Sequence, residues 1–237
     1  MTRRRWIADE VSENHAALVG DHAYHLARVL RAQVGQSMDL VAGGVVRRAV
    51  ISSVHEDRVQ FELGEELPAP TLPEVGLLLA IFKFDRMEWA IEKCTELGIG
   101  QILPVIARRT DSHLVSAATK RVERWERIAQ QAAEQSRRAA ASVVGEPMKL
   151  KDAVRVSAAV KILLSEVEEN QSLLKVLEAH AQSESVLLAV GPEGGWTEDE
   201  VALFTQNGWI SCSLGSTILR AETAAIAATA IAFSVLS

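Results

Sequence analysis

The chain has 237 residues, of which 48% are hydrophobic and 24% are charged, and its formal net charge at pH 7 is −6. This composition is typical of a folded globular protein and excludes a disordered, collagen-like or coiled-coil chain. The longest apolar stretch, residues 223–236, is shorter than the roughly 20 apolar residues that cross a bilayer, so we expect no membrane-spanning segment.

The N-terminal residues do not have the pattern of a targeting signal. Three consecutive arginines open the chain, but Asp9 and Glu10 follow, and no apolar run of signal-peptide length lies between them. We therefore expect a cytoplasmic protein.

A small β-domain is predicted next. Residues 38–41, 45–54 and 59–63 alternate apolar and polar side chains and are rich in β-branched residues, which favours three strands. Gly43 and Gly44 separate the first two strands and tolerate the positive φ angles of a tight hairpin turn. Three of the six prolines fall within residues 68–73, which favours an extended linker. The predicted domains are therefore residues 1–70 and residues 71–237.

The rest of the chain alternates apolar strands with helices. Strands are predicted at residues 77–82, 101–106, 160–164, 186–190 and 209–214, and helices at residues 85–98, 116–138, 173–181, 198–206 and 221–236. Asp85 with Glu88, and Thr197 with Glu200, have the spacing of helix capping boxes. This alternation predicts a largely parallel sheet covered by helices on both faces. The last helix is apolar on nearly every side, which predicts that it is buried.

Basic residues are concentrated in the middle of the chain, although the protein is acidic overall. Residues 1–140 contain 19 Lys and Arg against 19 Asp and Glu, whereas residues 141–237 contain 6 against 12. Many of these basic residues lie on the predicted long helix. Two interpretations stay open. The arginines either form a solvated face that pairs with Glu123, Glu126 and Glu134, or they form a strip that binds RNA.

Two loops that follow predicted strands are candidates for a ligand site, because open α/β sheets bind ligands beyond the carboxyl ends of their strands. The glycine loop, Gly191–Gly195, matches neither the dinucleotide fingerprint nor the phosphate loop. Glu193 would repel a polyphosphate, whereas glycines and a carboxylate suit a ligand with hydroxyls or positive charge, such as S-adenosylmethionine. The alternative is that the glycines only form a tight turn. The second loop, Leu214–Arg220, leads into the last helix.

Charged residues at the start of the last helix also have two possible roles. Arg220 and Glu222 either cap a buried helix or belong to a functional site. Cys94 and Cys212 have no cysteine or histidine neighbour at metal-ligand spacing, so we expect neither a disulfide framework nor a metal site.

These segments together resemble the 16S ribosomal RNA (uracil-N3) methyltransferase family of the SPOUT superfamily, and the resemblance covers nearly the whole chain. The matching segments are His25–Gly35, Lys83–Gly98, Arg124–Arg138, Gly191–Thr197 with Glu200, and Leu214–Gly215 with Ile218–Ala224. Two departures from the family pattern are visible. Ser142 stands where the family usually has proline, and Thr110 stands where serine follows the arginine.

The resemblance implies a homodimeric, S-adenosylmethionine-dependent enzyme of ribosome biogenesis that methylates N3 of one uridine in the decoding region of 16S ribosomal RNA. Its substrate would be the free RNA or the small ribosomal subunit. The implied fold is α/β, with a SPOUT-type C-terminal domain that has a parallel sheet and a trefoil knot, and a small N-terminal PUA-like β-barrel that binds RNA. The implied cofactor-binding residues are Gly191, Glu193, Gly194, Gly195, Leu214, Gly215, Ile218, Leu219 and Arg220.

The chemistry of uracil suggests catalytic roles within the same motifs. N3 carries a proton at neutral pH, so the site needs a base or a cation that stabilises the uracil anion. Arg220 would stabilise the anion, and Glu222 or Glu193 would orient Arg220 or accept the proton. A paired uridine must also be flipped out, and phosphate contacts must offset that cost. The candidate RNA-binding residues are Arg3, Arg4, Arg5, Arg28 and Arg31 in the first domain, and Arg108, Arg109, Arg137 and Arg138 in the second.

Three other functions stay open at this point. An RNA-binding relative without catalysis would have the same fold, but the dense glycines of the glycine loop speak against it. A methyltransferase of the same superfamily could act on transfer RNA or on another atom. An unrelated nucleotide-binding α/β enzyme is disfavoured because the phosphate loop is missing.

Overall fold

A computed structural model describes residues 5–68 and 72–237 of the chain. The chain folds into two compact units. The first unit contains the described residues up to 68 together with Ala133–Ala141, and the second contains Leu72–Ala132 and Ser142–Ser237. Arg3 and Arg4, and the middle of the predicted linker at residues 69–71, lie outside the described residues.

The first unit is built around one six-stranded sheet. Its elements are β1 (Trp6–Ile7), β2 (Glu10–Val11), β3 (His15–Val19), α1 (Gly20–Tyr24), a π-helical turn (His25–Val29), β4 (Ser37–Ala42), β5 (Val45–Val54) and β6 (Arg58–Glu66). The strand order is β1-β4-β5-β6-β3-β2, and only the β1–β4 pair is parallel. Trp6, Leu26 and Phe61 lie in its core.

The three strands predicted in this unit are confirmed as β4, β5 and β6. Gly43 and Gly44 have φ angles of 61° and 80°, as the predicted hairpin turn requires. Strands β1, β2 and β3 were not predicted from the sequence. The first two strands contain only two residues each, too few for an alternating pattern to be recognised.

The rest of the chain forms a parallel sheet with helices. Its elements are β7 (Glu74–Ala80), α2 (Phe84–Leu97), β8 (Gln101–Ile106), α3 (Ser112–Ala118), a 3-10 turn (Thr119–Arg121), α4 (Val122–Gln135), β9 (Val143–Val144), β10 (Met148–Lys149), α5 (Leu150–Ala153), β11 (Val160–Leu164), α6 (Leu173–Ala179), β12 (Ser185–Val190), α7 (Glu198–Gln206), β13 (Ile210–Cys212) and α8 (Ala221–Leu236). The strand order is β10-β8-β7-β12-β11-β13, with β9 also pairing with β8.

The prediction of a parallel sheet with two covered faces is confirmed. Every pair in this sheet is parallel. Successive residues of β7 contribute to different apolar clusters: Leu77 and Leu79 to one, and Leu78 to the other. Because side chains alternate across a strand, each face of the sheet has its own core.

Two predictions about helices are wrong. No side-chain hydrogen bond caps α2 at Lys83, and the carboxylate of Glu88 instead accepts two hydrogen bonds from Arg124, at 2.7 and 2.8 Å. The predicted long helix is interrupted by the 3-10 turn and ends at Gln135. It ends there because Arg137 adopts a φ of 60° and the Arg138 N–H donates to the Ala133 carbonyl, which is a Schellman-type termination.

The last helix is only partly buried in this chain, which corrects the prediction that it is buried on every side. Ala225, Ala228 and Ala232 lie in the core, whereas Ala230 and Ser234 are exposed. One side of α8 is therefore not covered by this chain, although the helix is almost entirely apolar. Among the described residues, no helix is long and apolar enough to span a membrane.

Candidate ligand pocket at the carboxyl ends of the strands

Three segments that follow parallel strands converge on one cavity of about 160 Å³. They are residues 164–167 after β11, residues 190–196 after β12 and residues 213–219 after β13, and the first turn of α8 completes the lining. The glycine loop and the second loop therefore face the same space. Of the predicted cofactor-binding residues, Gly191, Glu193, Gly195, Leu214, Gly215, Ile218 and Leu219 line the cavity, whereas Gly194 and Arg220 adjoin it.

Side chains pack closely against the glycines of the glycine loop. A Cβ on Gly191 would lie 3.1 Å from Nε1 of Trp196, and a Cβ on Gly194 would lie 3.2 Å from Cδ of Arg109. Gly195 has a φ of 70°, which residues with side chains rarely adopt. The guanidinium of Arg109 also donates a hydrogen bond to the Gly194 carbonyl. The loop is therefore held in shape by side chains from outside it.

The predicted capping box after the glycine loop is confirmed. The Thr197 hydroxyl accepts a hydrogen bond from the Glu200 N–H, and Oε2 of Glu200 accepts one from the Thr197 N–H at 2.8 Å. Oε1 of the same buried carboxylate accepts the Arg108 N–H at 2.7 Å. Glu200 thus connects the N-terminus of α7 to the loop after β8.

The two residues that depart from the family pattern both form side-chain hydrogen bonds with the backbone. The Thr110 hydroxyl donates to the Ile81 carbonyl at 3.2 Å and accepts the Ala107 N–H at 3.2 Å, contacts that a serine hydroxyl could also make. The Ser142 hydroxyl is buried and donates to the Ile99 carbonyl at 2.6 Å.

The sequence analysis missed one site residue, Arg86. Its guanidinium contacts Oε1 of Glu193 at 3.0 Å and lies 3.8 Å from Oε1 of Glu222. Glu222 is only 2% exposed, and its Oε2 has no hydrogen-bond partner among the described residues. A sequence signal did exist, since Arg86 is a basic residue in the first turn of α2, where the helix dipole disfavours positive charge.

Arg220 is placed as the N-cap residue of α8, but its side chain makes no capping hydrogen bond. The side chain is exposed and forms no ion pair within the described part of the chain. Glu222 pairs with Arg86 rather than with Arg220. The two residues that the sequence analysis treated together therefore have different surroundings: one is exposed to solvent and the other is buried in the first turn of the helix.

The candidate RNA-binding arginines differ in their exposure and in whether their guanidinium groups already have partners within the protein. Arg5 donates to the Arg137 carbonyl at 2.6 Å, and Arg28 forms an ion pair with Glu56. Burial lowers the pKa of Arg138 from the ordinary arginine value. The exposed candidates are Arg28, Arg31, Arg108, Arg109 and Arg137. Arg137 and Arg138 lie in the first compact unit, whereas the sequence analysis assigned them to the second domain.

The charged surface of the long helical segment is partly explained by pairing. Arg127 lies 3.4 Å from Glu123 within α4, and Arg124 is bound by Glu88, which raises the pKa of that guanidinium. Glu134 is fully buried and is therefore not a surface partner of the kind predicted. The solvated-face interpretation thus holds for part of this segment only.

Thiol and metal chemistry have no support in the described residues. Burial raises the pKa of the Cys94 and Cys212 thiols to about 12, so both are neutral at pH 7 and poor nucleophiles. The described residues contain no group of three or more histidine, cysteine, aspartate or glutamate side chains placed to hold a metal ion.

The lining of the cavity fits a ligand with apolar parts, hydroxyls and positive charge. Its described residues supply apolar side chains, glycine backbone and the two carboxylates of Glu166 and Glu193, and none of them is a lysine, arginine or histidine. A polyphosphate would have no cation to neutralise it in this lining. The nucleoside and sulfonium of S-adenosylmethionine match this chemistry.

Comparison with known proteins identifies the class first. The family described as an RNA methyltransferase domain matches residues 70–233, and together with the parallel sheet and its loop-lined pocket this defines an RNA methyltransferase domain. Ribosomal RNA small subunit methyltransferase E of Synechocystis is 34% identical over 224 residues, covering 91% of this chain and 72% of the relative. The Bacillus subtilis protein of the same name is 31% identical over 222 residues, covering 88% and 85%. The chain belongs to the ribosomal RNA small subunit methyltransferase E family, which confirms the resemblance of its motifs.

Solved structures agree with this fold. Ribosomal RNA small subunit methyltransferase E from Neisseria gonorrhoeae, bound to S-adenosyl methionine, is 29% identical, with a TM-score of 0.84 over 96% of this chain and 95% of that one. A Legionella pneumophila protein with the bound cofactor SAM is 28% identical, with a TM-score of 0.85 over 99% and 98% of the two chains.

Proposed function

We propose that this protein transfers the methyl group of S-adenosylmethionine to N3 of a uridine in the decoding region of 16S ribosomal RNA. Its relatives are named as methyltransferases of the small-subunit ribosomal RNA, and two structural neighbours hold this cofactor. The observation that carries the proposal is the convergence of the glycine loop and the second loop on one cavity. These two loops contain two of the motifs that resemble the uracil-N3 family.

The cofactor would be held mainly by backbone groups. Gly191, Gly194 and Gly195 let the chain approach the ligand closely, and Leu214, Gly215, Ile218 and Leu219 form the facing side. Glu193 is held at the mouth of the pocket by Arg86. When bound, S-adenosylmethionine supplies an electrophilic methyl group on a sulfonium.

Arg220 is proposed as the catalytic residue that contacts the uracil. Arg220 is exposed and lies in the chain between Leu219 and Ala221, both of which line the cavity, and this position supports a role towards a base placed over the pocket. A cation there stabilises the negative charge that uracil gains when the N3 proton leaves. Glu222, which is buried beside Arg86, is proposed to orient the start of α8.

We further propose that residues 1–70 bind RNA as a PUA-like β-domain and that residues 71–237 carry the methyl transfer. Exposed arginines and the aromatic Tyr24 in the first unit support the first part. If the arginines neutralise phosphates, RNA affinity falls steeply with salt. Filter binding to a 16S fragment at low and at high salt tests this, and an affinity that hardly changes would contradict it.

A trefoil knot and a homodimer complete the proposal. Ser165 N donates to the Cys212 carbonyl at 3.0 Å and Ser213 N donates to the Gln171 carbonyl at 2.8 Å, so β13 is tied to both ends of the loop between β11 and α6. The uncovered side of α8 supports a subunit interface, since the small residues there, Thr223, Ala230 and Ser234, permit close packing. Sedimentation that shows a monomer at micromolar concentration would overturn the dimer.

The site of action is proposed to be the cytoplasm.

The decisive experiment is methyl transfer from labelled S-adenosylmethionine to small ribosomal subunits that lack the modification. We expect 3-methyluridine, identified by mass spectrometry of the product nucleosides. Arg220→Ala should lower the rate at least tenfold with cofactor binding unchanged. Transfer RNA as the accepted substrate, or a different methylated nucleoside, would replace the proposal with another activity of the superfamily.

A further inference from the structure

The lining of the cavity contains two carboxylates whose surroundings differ. Glu193 is paired with the guanidinium of Arg86 at 3.0 Å. Glu166, which follows β11, forms no ion pair and no side-chain hydrogen bond within the described residues, although it lines the same cavity. Arg109, which lies beside the glycine loop, donates a hydrogen bond to the Gly194 carbonyl instead. Glu166 is therefore the carboxylate of the lining that forms no ion pair within the described residues, although Nη1 of Arg109 lies 3.9 Å from the same Cβ position on Gly195.

The carboxylate of Glu166 lies directly against the glycine loop. Its Oε1 is 2.8 Å from the position that a Cβ on Gly195 would occupy, so a Cβ there would require the carboxylate to shift. Gly195 also has a φ of 70°. A free carboxylate thus projects over the backbone that is proposed to hold the cofactor, while the side chain itself stays accessible to solvent.

We propose that Glu166 is a specificity-determining residue that distinguishes the positively charged methyl donor from its uncharged product. The inference rests on the proposed function, because it takes S-adenosylmethionine as the ligand. The donor carries a sulfonium, which becomes a neutral thioether when the methyl group leaves. A carboxylate that lines the site attracts the sulfonium and has no such attraction for the thioether. Glu166 therefore favours binding of the donor and release of the product.

Isothermal titration calorimetry on the full-length protein tests this with three probes. They are S-adenosylmethionine, its unreactive amine analogue sinefungin, and S-adenosylhomocysteine, of which only the first two carry the extra positive charge. Glu166→Gln should weaken the two charged ligands by roughly three- to tenfold, the effect of one unit charge at a partly solvated site. The affinity for S-adenosylhomocysteine should change less than about twofold.

The matched control is Glu169→Gln, which removes the same charge from the same loop at an exposed residue outside the cavity lining. It should leave all three affinities unchanged, and the preference for charged ligands in the unmodified protein should shrink at high salt. Equal weakening of all three probes by Glu166→Gln, or an equal effect of the control, would overturn the role of Glu166. If the unmodified protein bound none of the probes, the proposed function itself would fail.

Discussion

The two loops that enclose the pocket are stabilised in different ways. In the glycine loop, Trp196, Arg109 and Glu166 occupy the space beside the three glycines. In the second loop, a Cβ on Gly215 would meet nothing within 4 Å, and Ile218 is 83% exposed. One side of the pocket is therefore fixed by the folded protein, whereas the other has room to move towards a ligand.

The two loops are therefore suited to two different tasks: one positions the ligand, and the other lets it enter and leave. A site positions its ligand best on elements whose side chains are already locked by packing. A site must also admit and release the ligand, which favours a side with few contacts. The glycine loop is suited to positioning the ligand, and the second loop is suited to admitting and releasing it. Substitutions in the glycine loop should therefore affect stability more than substitutions in the second loop.

The largest effect on stability is expected from Arg86→Ala. The substitution leaves the buried carboxylate of Glu222 without a nearby cation, and should lower the free energy of unfolding by about 2 kcal/mol. Urea denaturation measures this change. Arg127→Ala removes an exposed arginine from a helical pair and should have almost no effect. The double variant Arg86→Ala with Glu222→Gln should recover part of the loss, and no recovery would show that charge is not the cause.

Gly195→Ala should have the next largest effect. Its φ of 70° should cost an alanine about 1 kcal/mol in stability, and its Cβ displaces the carboxylate of Glu166. Gly208→Ala is the matched control, because Gly208 has a φ of 77° and no atom within 4 Å of its Cβ position. Both variants should lose similar stability in thermal unfolding, but only Gly195→Ala should weaken S-adenosylmethionine binding in calorimetry. Equal cofactor binding by the two variants would contradict a positioning role for Gly195.

Thr197→Ala tests the capping box that anchors the end of the glycine loop. Loss of the hydroxyl leaves the Glu200 N–H without its side-chain acceptor and should cost about 1 kcal/mol. Thr197→Ser keeps the hydroxyl and should stay close to the unmodified protein in the same urea titration. If serine were as destabilising as alanine, the methyl group rather than the cap would be responsible.

The smallest effect on stability is expected in the second loop. Ile218→Ala should change the free energy of unfolding by less than about 0.5 kcal/mol, because the side chain is exposed. It should nevertheless weaken cofactor binding by roughly fivefold if the loop closes and buries this side chain. Val143→Ala, at another exposed apolar residue, should alter neither quantity. Unchanged cofactor affinity in Ile218→Ala would mean that the second loop does not close over the ligand.

Local features of the fold were predictable from the sequence. The strands at 101–106 and 160–164, the helix at 198–206 with its capping box, and the positions of both loops depend on apolar periodicity, glycines and capping residues within a few positions of each other. Such signals act through neighbouring residues, so short segments of sequence contain them. The capping box at Asp85 failed because Glu88 bonds to Arg124, 36 residues further along the chain.

Contacts between distant segments were decided only by the tertiary structure. Arg86 and Glu193 are 107 residues apart in sequence, and they meet because β7 and β12 are neighbours in the parallel sheet. Glu166 approaches Gly195 because β11 lies on the other side of β12. The sequence by itself determined the main strands and helices around the pocket and the positions of its two loops. The order of the strands decided which side chains share the pocket, because parallel neighbours bring their carboxyl ends together whatever their distance along the chain.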